Sequence, residues 1–174
     1  MTLPPQASAP QLPIFLCDAM LQRLGRWLRV AGYDVVMARE GETDYELLRR
    51  AIDEGRLLLT RDRQLAAMRR AADTVILLQS DSVEACAQEL ATRLALNWLL
   101  DPFSRCLQCN TLLIPASAAQ RHAVPEDIHS PVYYCPVCQQ VFWDGSHVQR
   151  MRAHLARWQQ GDYCLSVESQ DMPG

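Results

Sequence analysis

The sequence predicts an α/β protein: a parallel sheet covered on both faces, followed by a small four-cysteine metal module. Three observations predict it. Short apolar runs alternate with helical patterns between residues 14 and 100. Three of those runs, Ile14-Phe-Leu-Cys-Asp18, Leu57-Leu-Leu-Thr-Arg-Asp62 and Thr74-Val-Ile-Leu-Leu-Gln-Ser-Asp81, close on an aspartate. Two Cys-x-x-Cys pairs, Cys106/Cys109 and Cys135/Cys138, follow a break at Asp101-Pro102. An apolar run that ends in a charged turn and precedes a helical pattern reads as a buried parallel strand.

Taken in order, residues 14–17 are the first strand, and 19–31 the first helix. Met20, Leu24, Trp27, Leu28 and Ala31 form its apolar stripe, and Arg23, Arg26 and Arg29 the opposite side. Gly32 supplies a left-handed cap. A strand at 34–38 leads to a helix at 44–54, which Thr43 and Glu46 open with the spacing of a capping box. Strand 57–60, helix 63–72, strand 74–78 and helix 83–96 complete the alternation, which argues for three layers around a parallel sheet. Residues 1–13 read as a tail, 14–100 as the first domain, 101–160 as the metal module with a closing helix, and 161–174 as a second tail.

The carboxyl ends of parallel strands share one edge, where ligands bind. Topology places Asp18, Asp62 and Asp81 there, with Asp44 at the start of the second helix. Each acid taken alone reads first as a helix cap or first-turn residue. Together they would repel unless a divalent cation such as Mg²⁺ or Mn²⁺ sits among them. That constellation suits hydrolysis of a phosphodiester, with no separate nucleophile. Thr60 and Ser80, beside two of the acids, read either as partners of a water or phosphate or as ordinary strand-end residues.

Absences exclude rival chemistries. The chain has no lysine, so a phosphate-binding P-loop is ruled out, and phospho-aspartate receivers and dehalogenase-type phosphatases are disfavoured. No Gly-x-Gly-x-x-Gly follows a strand and no Gly-x-Ser-x-Gly is present. A net charge of −3 means that any basic surface is local. No segment has the length of a membrane span or the pattern of a secretory signal, so the expected compartment is the cytoplasm.

The paired cysteines point to a tetrahedral structural zinc site at Cys106, Cys109, Cys135 and Cys138. Cys17 and Cys86 read as small buried apolar residues. Residues 132–134 and 140–143 flank the second pair as strands of a ribbon. Gly145 turns the chain, and Ser146 caps a helix at 147–159. Val148, Met151, Leu155 and Trp158 form its seam. His147, Arg150, His154 and Arg157 form a neighbouring stripe, readable as an RNA-phosphate contact or as a solvated face.

Several stretches resemble one family. Phe15-Leu-Cys-Asp-Ala-Met-Leu-Gln-Arg-Leu-Gly-Arg-Trp-Leu-Arg29 with Ala31-Gly-Tyr-Asp34, Leu59-Thr-Arg-Asp-Arg63 and Ser80-Asp81 resemble the mutator-seven C-terminal RNase family. Phe103-Ser-Arg-Cys-Leu-Gln-Cys-Asn110, Tyr134-Cys-Pro-Val-Cys138 and Val141-Phe-Trp-Asp-Gly-Ser-His147 resemble its zinc-ribbon half. The resemblance implies a PIN-like nuclease fold with a fused zinc ribbon and metal-dependent cleavage of RNA. Asp18, Asp44 and Asp62, and less closely Asp81, fall on the family's acidic positions; Glu40, Glu42 and Glu46 are alternatives to Asp44. Gln22 stands where that family has glycine.

The functional expectation is a cytoplasmic ribonuclease with catalytic Mg²⁺ or Mn²⁺ and structural zinc, in which Arg23, Arg26, Arg61 and Arg63 hold the phosphate backbone. The alternatives are a non-catalytic RNA- or protein-binding adaptor, in which the acids are only caps, and the toxin of a toxin–antitoxin pair. A protein partner is compatible with each.

Overall fold

Along β1 (Phe15–Cys17) every side chain is buried, but successive residues serve opposite layers. Phe15 and Cys17 join one apolar cluster and Leu16 joins another. In β3 (Leu57–Thr60), Leu59 and Leu58 divide in the same way. A strand buried on both faces is the central element of a three-layer α/β/α arrangement. The computed structural model describes residues 12–122, 124–125 and 128–164. The expected tails at 1–13 and 161–174 fall largely outside the described residues.

β2 (Val35–Met37) and β4 (Val75–Leu77) complete a four-stranded sheet in the order β2-β1-β3-β4. All three pairings are parallel. On one face lie α1 (Gln22–Val30), α4 (Val83–Leu94) and α6 (Ser146–Gln159); α2 (Asp44–Asp53) and α3 (Arg63–Ala66) cover the other. The larger core cluster joins Trp27 and Leu28 of α1 to Trp98, Met151, Leu155 and Trp158. It runs through the point where the sequence changes architecture. Among the described residues no helix is long and apolar enough to cross a membrane.

The second sheet is antiparallel, in the order β5-β6-β7. Its strands are β5 (Ile114–Pro115), β6 (Val132–Tyr134) and β7 (Val141–Trp143). Neither β5 nor the single turn α5 (Ala118–Arg121) is legible in the hydrophobic pattern, because both are exposed. The segment after α4 runs back along the carboxyl end of α1. The backbone N–H groups of Asp101 and Phe103 donate to the carbonyls of Ala31 and Val30, satisfying acceptors that a helix end leaves open. Gly32, at φ +103°, allows this approach: a Cβ there would meet the Asp101 carbonyl oxygen at 2.5 Å.

Four expectations need correction. Ser146 does not cap α6 but is its first residue, behind Gly145, with no side-chain cap hydrogen bond. Met20 is 59% exposed, because residues 19–21 form a 3₁₀ turn of different phase, and Leu21 is buried instead. Arg29 is buried, not on an open face. Three-residue steps lag the helix by about 60° each, so Arg29 has drifted about 120° from Arg23, onto the side the ribbon covers. The third helix ends at Ala66, not at 72. Its alanine-rich continuation has helical propensity, but Arg70 adopts φ +73° and turns Ala71 into the core, where its carbonyl accepts from Thr74 and Val75. Tyr163, expected in a tail, stacks on Trp158 and accepts the indole N–H of Trp98 at 3.0 Å.

Candidate functional site

The carboxyl edge of the parallel sheet is built from β1, β3 and β4. Asp18 follows β1, and its backbone N–H donates to the Leu59 carbonyl at 3.0 Å. Thr60, the last residue of β3, is fully buried. Its hydroxyl donates to Asp18 Oδ2 at 2.7 Å and accepts the backbone N–H of Asp62 at 2.9 Å. One side chain thus ties the two acids together. Asp62 Oδ1 accepts from the N–H groups of Gln64 (2.6 Å) and Leu65 (3.3 Å), capping α3. Among the described residues, Asp18 Oδ1 and Asp62 Oδ2 have no hydrogen-bond partner.

Asp81 lies on the same edge, exposed, and pairs with Arg61. Ser82 rather than Asp81 caps α4, its hydroxyl accepting from Ala85. Asp44 is exposed in the first turn of α2, and among the described residues no hydrogen bond or ion pair joins it to the other three acids. Its neighbours are engaged elsewhere: Glu46 closes the capping box with Thr43, and Glu42 pairs with Arg50 at 2.7 Å. Ser80 donates to Glu89 at 3.3 Å, away from the acids.

A groove of about 300 Å³ borders this edge, lined by Met20, Arg23, Leu24, Arg61, Asp81 and Ser82. Arg23 and Arg61 therefore share this groove with Asp81, while Asp18 and Asp62 are not on its lining. Arg26 is half-buried on α1, and Arg63 is exposed on α3. The bridging role of Thr60 was not evident from its place at a strand end. The signal available was the Thr-x-Asp spacing, which returns the hydroxyl to the amide two residues on.

The second cluster is the ribbon's. The sulfurs of Cys106 and Cys138 are 3.8 Å apart and those of Cys109 and Cys135 are 3.4 Å apart. All four are free thiols whose sulfurs lie within 4.8 Å of one another. This is the one group of three or more metal-ligating side chains so gathered among the described residues. Each pair sits in a turn with a left-handed residue after it, Asn110 at φ +70° and Gln139 at φ +57°. Four thiols this close perturb one another. Burial raises Cys109, but hydrogen bonds with Thr111 outweigh it and bring the thiol down to about 6. Cys138, hydrogen-bonded to Cys109, is pushed up to about 12. A divalent cation such as zinc relieves that competition, and the sulfur donor set fits it.

The ribbon is fastened to the sheet beside it. The Arg29 guanidinium donates to the carbonyls of Leu107 (2.7 Å) and Gln108 (2.9 Å) in the first cysteine turn, and to Val35 in β2 (2.8 Å). Burial pulls its pKa below the ordinary value, against the raising effect of Cys17 and the ribbon thiols. Asn110 accepts the Val35 N–H at 3.0 Å and donates to Asp34 at 3.0 Å. Cys17 and Cys86 are buried as expected, and burial pushes the Cys17 thiol up to about 12.

On α6, the His154 ring stacks on Trp27 at 4.5 Å and meets the edge of Trp158 at 4.6 Å. Arg157 lies 3.5 Å from its Nδ1. Arg150 is exposed, and His147 faces a cleft beside the ribbon. The four residues of the stripe thus occupy three different environments.

The human exonuclease mut-7 homolog is 34% identical over 113 residues, covering 60% of this chain and 13% of that protein. The chain therefore spans a small part of its relative's length. No solved structure matches it significantly. The family model described as Mut7-C RNAse domain matches residues 13–155, across the parallel sheet, the ribbon and most of α6. The chain belongs to the Mut7-C RNAse domain family.

Proposed function

We propose that the chain hydrolyses RNA phosphodiester bonds at the carboxyl edge of its parallel sheet, as a PIN-like, metal-dependent ribonuclease. The observation that carries this reading is the Thr60 hydroxyl, which holds Asp18 and anchors Asp62 on adjacent strands of a chain of this family. Asp18 and Asp62 would hold Mg²⁺ or Mn²⁺, with Asp44 and Asp81 as the further candidates. An oxygen donor set of this kind suits a hard cation. When bound, the cation supplies a Lewis acid that activates water and offsets charge on the phosphate.

The chain's own residues do the rest. Thr60 fixes the orientation of Asp18 by donating to Oδ2, so Oδ1 faces outward in one position. Asp18 Oδ1 or Asp62 Oδ2 accepts the proton of the attacking water. Arg23 and Arg61, along the bordering groove, hold the phosphate backbone, with Arg26 and Arg63 further out. Cys106, Cys109, Cys135 and Cys138 hold a structural zinc, in keeping with the reduced thiols of a cytoplasmic setting.

A second reading is a non-catalytic RNA- or protein-binding adaptor. It is favoured by the structural duties already visible: Asp62 caps α3 and Asp81 pairs with Arg61. Cleavage of labelled RNA by the zinc-loaded protein, with Mn²⁺ added or with no added divalent cation, separates the two. Turnover that requires Mn²⁺ and falls at least a hundredfold in Asp18→Asn supports the nuclease. RNA bound but left whole under both conditions supports the adaptor.

A further inference from the structure

At the other end of α1, between the ribbon and α6, lies a cleft of about 470 Å³. Its walls are aromatic: Phe103, Tyr133, Phe142 and Trp143 all line it. Tyr133 and Phe142 are directly paired across β6 and β7, so they stand side by side on one face of the ribbon. Tyr133 is 41% exposed, so its ring is open to the cleft. The acids of the sheet edge contribute nothing to this cleft.

Two polar groups converge on the aromatic walls. Asp144 Oδ1 is buried and has no hydrogen-bond partner among the described residues. A buried acceptor left open carries a desolvation cost and calls for a donor. Beside it is Arg152, half exposed, stacked over the Phe103 ring at 4.9 Å and only 3.9 Å from the other Asp144 oxygen. The remaining cation of the cleft, Arg105, is spent on the fold: it donates to the carbonyls of Gly32 and Asn110. The cleft therefore offers flat apolar walls with the Asp144 carboxylate and the Arg152 guanidinium side by side, and Gln108, Gln140 and His147 also on its lining.

That set complements an unpaired nucleobase. Bases stack between aromatic rings and on guanidinium planes, and they are read by hydrogen bonds along their edges. Every base carries an N–H donor that an aspartate can accept, next to an acceptor that an arginine can serve.

We propose that this cleft is a nucleobase-binding subsite, which stacks one unpaired base of the RNA on Tyr133 and Phe142, with the Asp144 carboxylate and the Arg152 guanidinium at the base's polar edge. The subsite rests on the reading of RNA as substrate. It deepens that reading by adding a hold on the strand away from the cleaved bond. Arg152 serves the flanking phosphate or the base's acceptor edge.

The test is binding of short labelled single-stranded RNA to zinc-loaded, full-length protein by fluorescence anisotropy, without Mg²⁺ or Mn²⁺. The same-length oligomer with abasic positions is the reference. Cleavage with Mn²⁺ is measured separately on each variant. Tyr133→Ala and Asp144→Ala are the informative changes, and Tyr133→Phe keeps the ring and serves as the rescue. The expected result is about tenfold weaker binding of RNA in Tyr133→Ala, as the loss of one stacked base predicts. Binding returns in Tyr133→Phe, falls in Asp144→Ala, and is weak for the abasic strand with any variant. Equal binding of RNA and abasic strand, or unchanged RNA binding in both alanine variants, overturns the subsite even where cleavage is intact. Base-dependent binding that needs Tyr133 in a protein that never cuts RNA sustains the subsite and removes the nuclease reading instead.

Discussion

Thr60 shows how much depends on one hydroxyl. Among the described residues it is the only hydrogen-bonded link between Asp18 and Asp62, and it is inaccessible to solvent. The aspartates themselves were legible from their recurrence at the ends of apolar runs. The hydroxyl was not, because a threonine at a strand end has many ordinary uses. Asp34 makes the corresponding point for stability. Burial raises its carboxyl pKa, but hydrogen bonds from Arg56 (which pairs with it) and Asn110, together with the charges of Arg56 and Arg105, outweigh burial and bring it below the ordinary 3.8. A carboxylate whose folded pKa is depressed contributes stability above its unfolded pKa and loses it as pH falls through the folded value. Asp34→Asn should therefore be less stable than the parent near neutrality. The gap should narrow as pH drops below 3.8, measured by urea unfolding of both proteins in parallel. A gap that stays constant down the acid range would mean that the Asp34 charge contributes nothing.

At the scale of elements, α1 connects the two halves. Its apolar face packs on the sheet and on α6, and its carboxyl end is capped by the chain entering the ribbon. Arg29 then reaches both β2 and the first cysteine turn. Strand β3 and the capping box of α2 were legible to the residue, since each depends on local pattern. The burial of Arg29 was not, because the ribbon that covers it is distant in sequence, and the early stop of α3 was not, because the left-handed turn at Arg70 has no signature in an alanine-rich stretch. The same coupling makes a prediction for the metal. Removing zinc with a chelator should lower the thermal midpoint of the whole protein in one transition, followed by tryptophan fluorescence. Trp27, Trp98 and Trp158 share the core that α6 completes, so all three should respond. A midpoint unchanged by chelation, or Cys135→Ser behaving as the parent, would show that the ribbon folds without metal.

The whole molecule is a three-layer sheet domain with a ribbon built onto the amino end of its strands. The layer arrangement was legible because alternation of strands and helices limits the connections a parallel sheet can make. The candidate site was legible only as an edge. Topology delivers Asp18, Asp62 and Asp81 to it, while Asp44 stands apart in α2 and the fine geometry belongs to contacts between strands. The cleft between ribbon and last helix was not legible at all, since its walls come from stretches far apart in sequence. The central claim, that the acids do chemistry rather than cap helices, is tested most directly by Asp62→Asn. Asparagine caps a helix as well as aspartate does, so the stability of α3 and of the fold should be preserved. The measurement is the Mn²⁺-dependent rate of RNA cleavage by this variant beside the parent, with thermal midpoints recorded on the same samples. The account predicts an unchanged midpoint and a rate lower by at least a hundredfold. An unchanged midpoint with an unchanged rate would contradict it.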